Sequence, residues 1–193
     1  LNLKAAQIGI EQAEKELGFS RPVAISCTIE PMGTMLAGQT IEAFYTSVEH
    51  FEPIFIGMNC ATGPQFMTDH LRTLAGVSKY PVSVYPNAGL PNADGEYEET
   101  AEILSANLKP FFDQGWVNVV GGCCGTTTAH IQAIADIARE AEPRVSEPND
   151  FLTLSGIEAV EVTEDTTPLI VGERTNVIGS RKFKKMIAKN EFE

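Results

Sequence analysis

An α/β protein organised on parallel strands is the fold class this sequence predicts, and three observations predict it. Apolar runs of strand length begin near residues 23, 54, 82 and 117, and each is followed by a segment whose apolar residues have helical spacing. Three of those runs end in Cys60, in Asn87 and in the pair Cys123 and Cys124, and functional groups of parallel α/β folds gather at the carboxyl ends of the strands. The alternation suits either a doubly wound open sheet or a (β/α)8 barrel with right-handed crossovers. No nucleotide-loop pattern favours the open sheet, so the barrel is expected, and four strands make half of one.

The elements follow in order. Ala6, Ile10, Ala13 and Leu17 share one face of a helix over residues 5–17, and Gly18 ends it. Pro22 opens a strand over residues 23–29, in which Cys27 reads as an ordinary buried thiol with no ligand partner nearby. Thr40 is the expected N-cap of a helix that buries Ile41, Phe44, Val48 and Phe51. A strand over residues 54–60 then ends in Asn59 and Cys60, and Met67, Leu71, Leu74 and Ala75 mark the helix after it. The strand from Pro81 to Tyr85 leads into a long loop, Pro86 to Gly95, that carries Asn87 and Asn92. A helix from about Glu98 to Gln114, imperfect around Pro110, closes at Gly115. The strand from Val117 and a helix with Ile131, Ile134, Ala135 and Ala138 complete the series.

Residues 142–149 turn to Pro, Glu, Ser and Asn, the composition of a linker. Beyond them Phe151 to Gly156 reads as a short strand and Leu169 to Asn176 as another buried strand with a polar end. Ser180 caps a final basic helix. A first domain over residues 1–141, a linker over 142–167 and the opening of a second domain over 168–193 are therefore expected.

Composition narrows the function. The 193 residues include 14 basic and 26 acidic side chains, a formal charge of −12 that argues against a nucleic-acid partner. No run approaches the roughly 18–20 apolar residues of a membrane span. Four cysteines without a signal-peptide pattern point to a reducing compartment, the cytoplasm, where clustered thiols bind metal more often than they bridge. The chain starts at Leu1 within a helix-forming run and stops at Glu193 without a terminating signal, as a piece of a longer protein does.

The stretch from Val117 to Thr128 carries the chemistry: a β-branched strand, a glycine turn with two adjacent thiols, then a helix. Gly121, Gly122 and Gly125 leave the backbone free for positive φ on both sides of the cysteines. A disulfide between Cys123 and Cys124 would be strained, because consecutive Cα atoms lie about 3.8 Å apart and a relaxed bridge spans roughly 4.4–6.8 Å. Burial as inert thiols suits the glycines and the run Thr126, Thr127, Thr128 less well than a strand mouth does. Cys60 supplies a third thiol. Three thiolates suit zinc, and three protein ligands with one open position are the catalytic arrangement, in which a substrate thiol is deprotonated. Asn87, ending the neighbouring strand, is placed to fill the fourth position until substrate displaces it.

Three motifs, Gly57-Met58-Asn59-Cys60, Pro86-Asn87-Ala88-Gly89-Leu90-Pro91-Asn92 and Gly121-Gly122-Cys123-Cys124-Gly125-Thr126, occur in the order that resembles the homocysteine-binding module of the zinc-dependent thiol methyltransferases. The resemblance covers residues 1–141 and implies a (β/α)8 barrel in which zinc on Cys60, Cys123 and Cys124 activates homocysteine. Gly172 to Ser180 is similar to the start of the pterin-binding barrel of cobalamin-dependent methionine synthases, so the fold class extends to the first strand and helix of a second barrel. That resemblance implies methylcobalamin as the methyl donor and methyltetrahydrofolate as the methyl source. Glu173 and Asn176 would contact the pterin; pairing of Glu173 with Arg174 is the structural alternative. It also implies that the cobalamin module and the acidic anchor for the homocysteine amino group lie outside this sequence. A homocysteine methyltransferase with a betaine or sulfonium donor shares every zinc argument and differs only in the tail. A zinc-stabilised or redox module without a substrate is the reading from another class.

Overall fold

A computed structural model describes residues 2–146, 151–172 and 178–191. The chain divides into two compact units, residues 1–161 and 162–193.

In the first unit, helix α1 (Asn2–Leu17) precedes strand β1 (Ala24–Cys27), and α2 (Ile41–Val48) continues into a 3-10 turn (Glu49–Phe51). Strand β2 (Phe55–Asn59) and helix α3 (Pro64–Val77) follow, then β3 (Val82–Tyr85) and α4 (Ala101–Asp113), then β4 (Val119–Val120) and α5 (Thr128–Ala138). The four strands are parallel and lie side by side in chain order, β1-β2-β3-β4. No reversal of order occurs along this sheet.

Alternation along the strands assigns the two faces. Ile56, Met58, Val82 and Val84 are fully buried and pack with Leu71, Leu74, Leu104, Leu108 and Phe111 from the helices. Burial of each such side chain stabilises the fold by about 1.5–3 kcal/mol. The opposite face is small and polar. Gly57 and Ser83 lie against each other there, Ser26 donates to Asn59 Oδ1 at 2.5 Å, and Gly121 lies under the Tyr85 ring. Only a glycine fits at position 57, since a Cβ there would stand 2.1 Å from the backbone oxygen of Ser83.

Side chains set several element ends. Asn118 shortens β4: its Oδ1 accepts the Val82 N–H at 2.9 Å, a side chain standing in for the main-chain ladder. Thr100 caps α4 through a 3.4 Å bond from the Ile103 N–H, so that helix starts later than the expected Glu98. Thr40 caps α2 as expected, accepting from the Ala43 N–H. Arg144, almost fully buried, closes the carboxyl end of α3. Its guanidinium donates to the carbonyls of Ala75, Ser78 and Tyr80 at 2.5–3.2 Å.

Residues 142–167, expected as a linker, include strands β5 (Leu152–Ser155) and β6 (Ala159–Val162), which form a two-stranded sheet of their own. Strand β5 lies along α2, where Ser155 Oγ donates to the Ala43 carbonyl at 2.6 Å and the Thr40 N–H donates to the Ile157 carbonyl at 2.9 Å.

The second unit contains a 3-10 turn (Glu164–Thr166) and helix α6 (Arg181–Lys189), capped by Ser180 through the Phe183 N–H. The strand expected from Leu169 is not formed over residues 169–172, where Ile170 is 92% and Val171 76% exposed. A strand is held by a neighbour, and the described residues of this unit offer it none. Glu173 and Asn176, the expected pterin contacts, lie outside the described residues.

Candidate metal centre

The carboxyl ends of β2, β3 and β4 bring Cys60, Asn87, Cys123 and Cys124 together. Cys60 directly follows β2 and has a left-handed backbone, φ 64°, as does Ala61 at 62°. Two consecutive non-glycine residues in this region cost energy and persist only where surrounding bonds hold them. Those bonds are present. The Cys60 N–H donates to the Tyr85 carbonyl at 2.9 Å, the Thr62 N–H to the Cys60 carbonyl at 2.8 Å and the Asn87 N–H to the Thr62 carbonyl at 3.0 Å.

The loop after β4 is tied to the loop after β3 in the same way. The Cys123 N–H donates to the Pro86 carbonyl at 2.8 Å and the Ala88 N–H to the Cys124 carbonyl at 2.9 Å. Asn87, 2% exposed, accepts the Cys124 N–H on its Oδ1 at 3.1 Å. Of the three glycines expected to take positive φ, Gly125 does, at 78°. Gly121 and Gly122 are small for another reason: a Cβ would stand 2.8 Å from the Tyr85 ring at Gly121 and 2.5 Å from the Thr126 methyl at Gly122.

All four cysteines are free thiols. Cys60 Sγ lies 3.7 Å from Cys124 Sγ, and Cys123 Sγ lies 3.9 Å from Cys124 Sγ. The three sulfurs fall within 4.8 Å of one another, and no His, Asp or Glu among the described residues joins them. A tetrahedral ion bonded to sulfur at about 2.3 Å spaces its ligands about 3.8 Å apart, so the donor set and its spacing fit zinc.

Cys60 is held below the usual thiol range, chiefly by the Ala61 backbone N–H and also by the neighbouring thiols and the Asn87 side chain. Cys123 is pushed up to about 11, first by burial and then by the adjoining thiols. Cys60 therefore carries charge more readily than Cys123, and a cation beside them would favour ionisation of both. Cys27 takes no part. It is buried in β1 with its thiol raised to about 12 by desolvation.

Residues 1–138 match the family described as Homocysteine S-methyltransferase. The chain belongs to the homocysteine S-methyltransferase family. A solved structure of the homocysteine methyltransferase MmuM from Escherichia coli, in its metallated form, is similar at 22% sequence identity and a TM-score of 0.48. That match covers 66% of this chain and 38% of the other, so the chain spans less than two fifths of the length of this solved relative.

Within this homocysteine S-methyltransferase domain the structure adds residues that the strand-end argument did not find. Tyr97, from the loop between β3 and α4, lies with its side chain against Gly125, beside Cys124. His130, at the start of α5, accepts the Thr127 N–H on Nδ1 at 3.2 Å and bonds the Glu99 carbonyl through Nε2 at 2.8 Å. The signal for Tyr97 was a lone aromatic in a loop of Pro, Gly and Asn; His130 gave none beyond its place three residues after an N-cap threonine. No helix among the described residues is long and apolar enough to cross a membrane.

Proposed function

We propose that this chain carries the homocysteine-activating site of a methyltransferase, with zinc held by Cys60, Cys123 and Cys124. The observation that carries the reading is the spacing of the three sulfurs, 3.7 and 3.9 Å along the trio, in a homocysteine S-methyltransferase domain. Zinc bound there supplies the positive charge that keeps a substrate thiol ionised at neutral pH. Cys60 is prepared for this by the Ala61 N–H and the Asn87 side chain. Asn87 fixes the Cys124 backbone through its Oδ1. The reaction is transfer of a methyl group to the sulfur of homocysteine, giving methionine and releasing the thiol proton.

The sheet of four sequential parallel strands is read as the carboxyl-terminal part of a (β/α)8 barrel over residues 1–141, with 142–167 joining it to a pterin-binding domain that opens at 168. The motif from Gly172 to Ser180 supports methylcobalamin as immediate donor and methyltetrahydrofolate as methyl source, with Glu173 and Asn176 toward the pterin. Methyltetrahydrofolate binding by the full-length protein, lost in Glu173→Gln, tests that part; unchanged binding in the variant would remove Glu173 from the pterin site, and no binding by the wild type would favour a betaine or sulfonium donor.

Zinc content of the purified chain, beside Cys60→Ala and Cys124→Ala, tests the site. Expected are about one zinc per chain, loss in either variant, and a further sulfur neighbour at the zinc X-ray absorption edge after homocysteine is added. Zinc that keeps its ligands when homocysteine is added would mark a structural site instead.

A further inference from the structure

We infer that His130 is a positioning residue for the thiol trio: it ties the start of α5, just after Cys123 and Cys124, to Glu99, whose side chain rests on the loops after β2 and β3. The inference rests on reading the trio as a metal site.

The two ring nitrogens meet partners that each have a single role. Nδ1 meets the Thr127 N–H at 3.2 Å, a group that only donates, and Nε2 meets the Glu99 carbonyl at 2.8 Å, a group that only accepts. One form of the ring satisfies both, the neutral imidazole with its proton on Nε2. His130 is almost fully buried, so water competes little for either bond. Thr127 is the N-cap of α5 and follows Cys124 by three residues. The bond to its N–H therefore holds the far end of the cysteine turn.

Glu99 carries the tie to the other two loops. Its Oε1 accepts from Asn107 of α4 at 2.7 Å, which orients the carboxylate. A Cβ on Gly89 would stand 2.7 Å from Glu99 Oε2, and one on Gly63 would stand 3.4 Å from the same oxygen. Gly63 lies three residues after Cys60, and Gly89 two after Asn87. Through main-chain bonds the loop after β2 and the loop after β4 are each tied to the loop after β3. Glu99 and His130 join all three. Thiols that share one ion must keep their spacing, and a brace across the loops that carry them sets it.

The test is His130→Glu in the whole chain. A carboxylate three residues after an N-cap threonine still accepts the N-cap N–H, but it has no proton for the Glu99 carbonyl. Urea unfolding close to that of the wild type is expected; loss of the fold would make the residue structural and overturn the inference. Cobalt(II) affinity, read from thiolate charge-transfer absorption, should fall about tenfold, and an unaltered affinity overturns the role at the metal. The added negative charge would favour a cation, so it cannot imitate that loss. In metal-free protein, hydrogen exchange at the Cys123 and Cys124 N–H groups should quicken roughly 2- to 10-fold, the scale of one lost hydrogen bond; unchanged protection overturns the brace. Nitrogen-15 shifts of the neutral imidazole in the wild type should show the proton on Nε2, and a proton on Nδ1 also overturns it. Wild-type chain that binds cobalt without thiolate absorption would sink the metal reading, while exchange and tautomer still decide for His130.

Discussion

The side-chain oxygen of Asn87 accepts the backbone N–H of Cys124 at 3.1 Å, so a residue at the end of β3 sets the backbone from which a thiol after β4 projects. Asn87 is 2% exposed, and its loss leaves that N–H without its partner. Asn87→Ala should destabilise the chain by roughly 1–3 kcal/mol in urea unfolding and weaken zinc binding about tenfold in a chelator competition. Asn87→Asp keeps the acceptor, places a negative charge beside Cys60 and should retain more stability than the alanine variant. Equal zinc affinity in all three proteins would contradict this.

Gly57 tests the packing of the small polar face. A methyl there meets the Ser83 carbonyl oxygen and hydroxyl, both at 2.1 Å. Gly57→Ala should cost about 3 kcal/mol or more, and Ser83→Ala in the same chain should not rescue it, because one of the two clashing atoms is backbone. A rescue seen in thermal unfolding would show that the strands separate more easily than this contact allows.

Among the described residues Arg144 pairs with no carboxylate. Its partners are the carbonyls of Ala75, Ser78 and Tyr80 at and beyond the end of α3, where the helix dipole favours a cation. Arg144→Met should destabilise by roughly 3 kcal/mol, the scale of hydrogen bonds to a charged group. Arg144→Lys should recover less than half, since one ammonium cannot reproduce the planar fork. Chemical unfolding of the three proteins at one pH measures both.

Cys27 makes a prediction about alkaline pH. Its thiol titrates near 9.0 in the unfolded chain and is raised to about 12 by burial in the native one. Between those values the native state holds the proton that the unfolded state releases, so stability contributed by the neutral thiol falls as pH rises through that window. The slope approaches about 1.4 kcal/mol per pH unit. Cys27→Ala should flatten unfolding free energy against pH between 9 and 10 relative to wild type; parallel curves would refute the assignment.

The parallel strands and the convergence of three cysteines were legible because apolar runs, helical spacing and polar strand ends all belong to local sequence. What escaped came from partners distant in the chain. The left-handed pair Cys60 and Ala61 is held by Tyr85 and Asn87, and nothing in either residue type announces it. Gly121 and Gly122 read as flexible yet are small because Tyr85 and Thr126 press on them. The sheet on α2 depends on serine and backbone bonds between residues more than 100 positions apart, within a stretch whose composition reads as linker. Leu169 to Gly172 had strand composition, but composition cannot supply the neighbour that a strand pairs with.

Cys60 and Cys124 are 64 positions apart and their sulfurs 3.7 Å apart. A cation gripping both closes a loop as a covalent staple would, and a closure of that length removes about 4 kcal/mol of chain entropy from the unfolded state. The ion would then act as a reversible rivet through β2, β3 and β4, and chelation would be felt in the resistance of the whole sheet to unfolding as well as in chemistry at its mouth.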